Sequence, residues 1–241
     1  EPFYTNYKTF IKAAGGKLVG IPTTAEEGYQ YAVKEKIEAV ITPKTKAICI
    51  INPGNPTGKV LTHDEMKLIV DIALEHDLYI IADEVYREFV YDGKAMDTFG
   101  SFPEAAQNVV IVDSISKRFS ACGARMGSIA SKNEELMGNL MKLCQARLCS
   151  ATLDQIGAAA LYNLDPSYFD DIKKEYEHRR NVAVEALNEI EGIQYGVPEG
   201  AFYITCKLPV DDAEKFLSLG ADRLGTSRII KLVKQEEATG Y

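Results

Sequence analysis

Several protein classes are excluded by what this sequence lacks. No apolar run approaches the ~18 residues needed to cross a bilayer, and the first residues do not form a signal peptide. Lys and Arg number 27 against 35 Asp and Glu, a net charge of −8, and no basic cluster is present. Nucleic acid is therefore a poor candidate partner. The five cysteines, Cys49, Cys122, Cys144, Cys149 and Cys206, are odd in number, scattered and without a Cys-x-x-Cys. They read as reduced core thiols, not as a disulfide framework. His63, His76 and His178 lie far apart in sequence and form no ligand-spaced pair, so no metal site is expected. A soluble, cytoplasmic protein is the expectation.

What is present suffices for a real core, since 46% of the 241 residues are hydrophobic and 26% charged. Tyr7, Phe10, Ile11 and Ala14 fall at helical spacing, and Gly15-Gly16 stop that helix. Lys17 to Pro22 reads as a short strand and Ala25 to Val40 as a helix. Ala47 to Ile51 is a continuous apolar run, the mark of a strand covered on both faces. After the turn-rich Asn52 to Gly58, Thr62 and Glu65 form a capping box that opens a helix. Met66, Ile69, Val70 and Ala73 make one apolar face of it. Leu78 to Ala82 and Val109 to Val112 read as further buried strands, and this β-α-β order predicts a parallel sheet. Ser128-Ile129-Ala130 fits a reversed or edge strand. Residues 133–163 read as helical with a break near Ser150, and a charged helix runs from about Tyr168 to Ile190. Gly192 to Cys206 then reads as strand, turn and strand.

Three loops follow the three apolar strands. In open α/β sheets ligands bind beyond the carboxyl ends of the strands, so these loops can share one crevice. The third carries Lys117 between Ser116 and Arg118, just ahead of the Gly123-Ala124-Arg125-Met126-Gly127 turn. An amine there can form a Schiff base with an aldehyde, while hydroxyls and a guanidinium hold a nearby phosphate dianion. A solvated surface lysine is the competing reading. A phosphate loop at Gly54 to Lys59 fails on spacing, because three residues separate Gly54 from Gly58 instead of four and Val60 follows the lysine.

The run Ser114 to Gly127 resembles the lysine-attachment signature of class I/II pyridoxal phosphate (PLP)-dependent aminotransferases. Ala82 to Tyr86, Asn55 to Gly58 and Pro2 to Tyr7 resemble further blocks of that family. Asp154 to Gly157 and Gly200 to Tyr203 do so as well, with structural roles only. The likeness runs from Glu1 to about Phe216. It implies an α/β, fold-type-I transferase: a mostly parallel sheet flanked by helices, plus part of a smaller α/β domain. Residues 1–165 would be an N-terminally incomplete cofactor domain and 166–241 a partial small domain with an atypical tail.

The resemblance also implies roles. Lys117 would bind PLP and shuttle the proton, and Asp83 would pair with the pyridine nitrogen. Tyr86 and Asn55 would bond the phenolic oxygen, with Asn55 also on the substrate carboxylate. Tyr4 would stack on the ring, and Ser114, Ser116 and Arg125 would hold the phosphate. Arg228 is the candidate for gripping the substrate carboxylate. The reaction would move an amino group between an amino acid and a 2-oxo acid, aspartate or an aromatic amino acid with 2-oxoglutarate, in a homodimer. C–S lysis or another elimination on the same fold remains open, as does a non-catalytic PLP-fold module. Family members carry a long segment before the Pro-Phe-Tyr block, so the 241 residues alone are expected to transaminate poorly.

Overall fold

The computed structural model describes residues 1–208. The apolar runs become parallel strands β1 (Ala47–Ile51), β2 (Tyr79–Asp83) and β3 (Val109–Ser114), and β4 (Gly127–Ala130) closes the edge antiparallel to β3. Strand order is β1-β2-β3-β4. Ile51 lies opposite Asp83, and Asp83 opposite Val112, so β1 and β2 end level and β3 runs two residues further, to Ser114. Ser128 to Ala130 thus forms the expected reversed edge strand.

Three helices begin the chain: α1 (Asn6–Ala13), the short α2 (Lys34–Glu38) and α3 (His63–Glu75). At the start of α3, Thr62 Oγ1 accepts from Glu65 N at 3.2 Å and the Glu65 carboxylate accepts from Thr62 N at 2.7 Å. The expected capping box is formed. Met66, Ile69, Val70 and Ala73 then bury in one core with Ile50, Ile80, Ala82 and Val109. Each of the larger side chains contributes about 1.5–3 kcal/mol by leaving water.

The other face of the sheet corrects an expectation. Ile50, Ile80 and Ala82 are buried, but Ile51 and Ile81 are half-buried and Cys49 is exposed. Successive strand residues point to opposite faces, and α3 packs on one of them. The cysteines are likewise not core thiols, since Cys49, Cys122, Cys144 and Cys149 are exposed and Cys206 is half-buried.

Two N-terminal expectations also fail. Lys17 to Pro22 forms no strand; this stretch runs beside the chain's start, with Thr23 N donating to Glu1 O at 3.2 Å. Ala25 to Val40 is not one helix, because Gly28 (φ 61°) and Tyr29 (φ 58°) turn left-handed and only α2 remains. Tyr29 is drawn out by a long-range contact, its hydroxyl donating to Thr205 O at 2.8 Å.

The single turn α4 (Ile115–Arg118) lies between β3 and β4, and after the sheet come α5 (Glu134–Arg147), α6 (Thr152–Leu161) and α7 (Tyr168–Asn188). The break between α5 and α6 falls at the expected Ser150. The two-residue strands β5 (Gln194–Tyr195) and β6 (Cys206–Lys207) pair antiparallel. The buried Arg180 of α7 donates to both Asp92 oxygens (2.9 and 2.6 Å) and to Pro198 O at 2.8 Å. No helix among the described residues is long and apolar enough to cross a membrane.

Candidate active site

The carboxyl ends of β1, β2 and β3 lie along one edge of the sheet, with Asp83 and Ser114 the last residues of their strands and Asn55 in the loop after β1. Backbone pairing continues past the strands, Asn52 N donating to Asp83 O and Glu84 N to Val112 O, each at 2.9 Å. The loops therefore leave the sheet in a fixed geometry.

Lys117 sits on α4, a single helical turn that starts where β3 ends. Ser114 caps it, its Oγ accepting from Ser116 N at 3.1 Å. The same Oγ lies 2.8 Å from Met126 O and 2.7 Å from Ser116 Oγ. A carbonyl can only accept, so Ser114 gives its one proton to Met126 and Ser116 gives its proton to Ser114. Arg118 points the other way, into a buried ion pair with Asp113 at the end of β3 and a 3.7 Å contact with Glu88. That anchor leaves the half-buried Lys117 facing the site, its Nζ 6.0 Å from the centre of the Tyr86 ring and 5.9 Å from that of Phe202. Arg125 is left-handed (φ 55°) and exposed, and its guanidinium donates to Cys122 O at 2.7 Å. It braces its own turn.

Asp83 accepts from the Tyr7 hydroxyl at 2.7 Å and from Val85 N at 3.2 Å. Burial pushes its carboxyl above the usual range, and these two hydrogen bonds pull back only in part. Burial, together with the neighbouring Asp83, drives the Tyr7 hydroxyl far up, so Tyr7 remains a donor. Tyr86 is buried; Asn55 Nδ2 donates to its hydroxyl at 3.3 Å, and the Tyr203 hydroxyl lies 2.7 Å away. Tyr4 is 39% exposed, bonded to Asn6 Nδ2 at 2.6 Å and edge-on to Tyr7 at 6.2 Å. The Asn55–Pro56 bond is cis. Arg228 lies outside the described residues.

The structure thus joins Asn55 to Tyr86, Tyr86 to Lys117, and Ser114 to Ser116. It adds three residues that sequence reasoning passed over. Tyr7 holds Asp83; its signal was its place three residues after Tyr4 in the same block. Phe202 and Tyr203 reach Lys117 and Tyr86 from far along the chain, and their block was read as structural.

Two other polar clusters are internally neutralised. A cleft of about 260 Å3 is lined by Gln30, Thr57, Lys59 and Glu199, among others, and there Lys59 pairs with Glu199 at 3.7 Å and with Glu65 at 3.3 Å. At the α2–α3 surface His76, Glu75 and Glu38 bring ligand atoms within 4.8 Å, with Lys34 between the two carboxylates.

A mostly parallel sheet with a lysine turn at the carboxyl end of a strand and a carboxylate at the end of the next defines a fold-type-I transferase domain. The chain belongs to the aminotransferase class I and II family, whose pattern matches residues 1–224. It is 36% identical over 206 residues to the aromatic-amino-acid aminotransferase 2 of Thermococcus litoralis, covering 85% of this chain and 52% of that protein. It is 32% identical over 220 residues to the aspartate aminotransferase of Musicola paradisiaca, covering 90% and 54%. The crystal structure of an aspartate aminotransferase from Thermotoga maritima superposes with a TM-score of 0.81 at 29% identity, covering 91% of this chain and 57% of that one. The chain spans about half the length of the curated relatives it matches.

Proposed function

We propose that this chain carries the PLP site of an aminotransferase that moves an amino group between an amino acid and a 2-oxo acid. The observation that carries the reading is Lys117 Nζ 6.0 and 5.9 Å from the centres of the Tyr86 and Phe202 rings, on the turn after β3, whose neighbouring strand β2 ends in the carboxylate of Asp83. The donor set fits the cofactor at each of its polar edges. When bound, PLP supplies an aldehyde that captures amines and a ring that accepts electrons from the adjacent carbon. The rest falls to this chain.

Lys117 Nζ is the covalent anchor and, once released, takes the proton from the substrate α-carbon. Asp83, whose charge is poorly solvated, is stabilised by a cationic ring nitrogen and holds the proton there. Tyr7 keeps the carboxylate aimed. Tyr86 and Asn55 would address the ring oxygen, and Tyr4, edge-on to the Tyr7 that holds Asp83, would cover the ring. Ser116 can turn its proton from Ser114 to the phosphate, Ser114 would exchange its bond to Met126 O, and Arg125 its bond to Cys122 O, for the dianion. Asn55 also takes the substrate carboxylate, with Arg228 as the proposed second contact. Residues 1–165 form the cofactor domain and 166–241 part of the smaller one. The relatives' names favour aspartate or an aromatic amino acid as donor and 2-oxoglutarate as the family's usual acceptor. A cytoplasmic homodimer is the setting this reading implies.

Incubation with PLP followed by borohydride reduction tests it. The cofactor is expected on the peptide containing Lys117. Labelling of Lys94 or Lys132 in its place would refute the assignment.

A further inference from the structure

The stretch from Pro198 to Thr205 is stitched to both functional loops. Gly58 O accepts from Glu199 N (2.8 Å) and Gly200 N (2.9 Å), Ala201 N donates to Phe89 O at 2.8 Å, and Thr205 Oγ1 donates to Pro56 O at 2.6 Å. At its centre Phe202 and Tyr203 meet Tyr86 edge-on, with ring centres 5.1 and 5.6 Å away. So rigid a strap delivers the Tyr203 hydroxyl to one place.

We propose that Tyr203 is a positioning residue, donating its hydroxyl proton to Tyr86 so that the Tyr86 proton turns to the ring oxygen of the cofactor. This rests on the PLP reading above. A phenol has one proton to give and can accept twice. Asn55 Nδ2 is a donor and approaches Tyr86 Oη at 3.3 Å; the Tyr203 oxygen, at 2.7 Å, can either accept from Tyr86 or donate to it. If Tyr86 gives its proton to Tyr203, it has none for a ligand. If Tyr203 gives, Tyr86 accepts twice and its proton is forced outward. A chain of donors running Tyr203 to Tyr86 to the ligand oxygen also polarises Tyr86 into a stronger donor than it is alone. With an anionic oxygen beside it, the second arrangement wins.

The test compares affinities of the full chain for PLP and for its 3-deoxy analogue, which lacks the ring oxygen, in the parent, Tyr203→Phe and Tyr86→Phe. Tyr203→Phe keeps the ring packing and removes only the hydroxyl. It is expected to weaken PLP binding about threefold, because Tyr86 loses the donor that polarises it, whereas Tyr86→Phe loses the whole charge-assisted bond, on the order of tenfold. Affinity for the analogue should change by less than about twofold in either variant, since it has no ring oxygen for the Tyr86 proton to reach. The ratio of the two affinities is unaffected by a general loss of stability, which would weaken both ligands alike. Equal losses for both ligands, or none, in Tyr203→Phe while Tyr86→Phe discriminates would overturn the role of Tyr203 alone. If the Tyr86→Phe ratio equals the parent's, the PLP reading of Tyr86 falls and the proposal with it.

Discussion

Asp83 shows at the scale of one residue how function strains stability. Its folded pKa lies above the unfolded one, so near neutrality the folded state holds a charge that burial disfavours. That group contributes a penalty which grows as pH rises through the folded pKa. Asp83→Asn removes the charge; its amide oxygen can keep the bond from Val85 N while its NH2 donates to the Tyr7 oxygen. The cofactor-free variant is expected to melt at or above the parent, by up to about 0.5–2 kcal/mol. A clear drop in its melting temperature would show that the carboxylate serves the fold. Asp83 was legible because it ends an apolar run; Tyr7 was not, since no sequence pattern states which carboxylate a tyrosine meets.

Loops and caps separate at the next scale. Gly58 is left-handed (φ 70°), and a Cβ there would lie 2.4 Å from Pro198 Cβ. Gly58→Ala must push back both the Asn55 loop and the 198–205 strap, with a cost of about 1–3 kcal/mol expected from strain and overpacking. Thr62→Ala breaks the α3 cap, which costs about 1 kcal/mol, but leaves both loops in place. Urea unfolding of the two variants alongside PLP titration should show stability lost in both and PLP affinity lost only in Gly58→Ala. Unchanged affinity in Gly58→Ala would mean that the strap does not support the site. The cap was readable because it is local, four residues long. The strap was not, because its partners lie 112 to 149 residues away, from Phe89–Ala201 to Pro56–Thr205, and its own residues carry no periodicity.

At the scale of the whole molecule, the carboxylates with shifted pKa values among the described residues include two opposed groups. Burial raises Asp83, Glu84 and Asp113, whereas hydrogen bonds and neighbouring cations lower Glu65, Asp92, Asp97 and Glu199. As pH falls from neutrality the raised group takes up protons first and stability increases. Below the ordinary carboxylate range, about 4, the lowered group is protonated against its partners and stability is lost. Arg180 then loses Asp92, and Lys59 and Lys94 lose Glu199. The melting temperature of the cofactor-free chain is expected to peak in mild acid and collapse below it. A maximum at or above neutrality would contradict the raised pKa values of the buried carboxylates.

Local chemistry was enough to place much of this protein from sequence. Apolar runs five residues long, a four-residue capping box and turn residues act over a few positions, so they declared β1, β2, β3, α3 and the α5–α6 break directly. The lysine turn was legible for the same reason: strand, cap, lysine and Gly-x-Arg-x-Gly lie within one short stretch. Tertiary structure decided the rest. A helical pattern at residues 25–40 yielded to the pull of Thr205 on Tyr29. An apolar run could not report which face of the sheet is covered, since burial belongs to whatever packs there. The Tyr7–Asp83 and Tyr86–Tyr203 pairs span 76 and 117 residues. Contacts at such separations exist only once the chain has closed, and they complete the site.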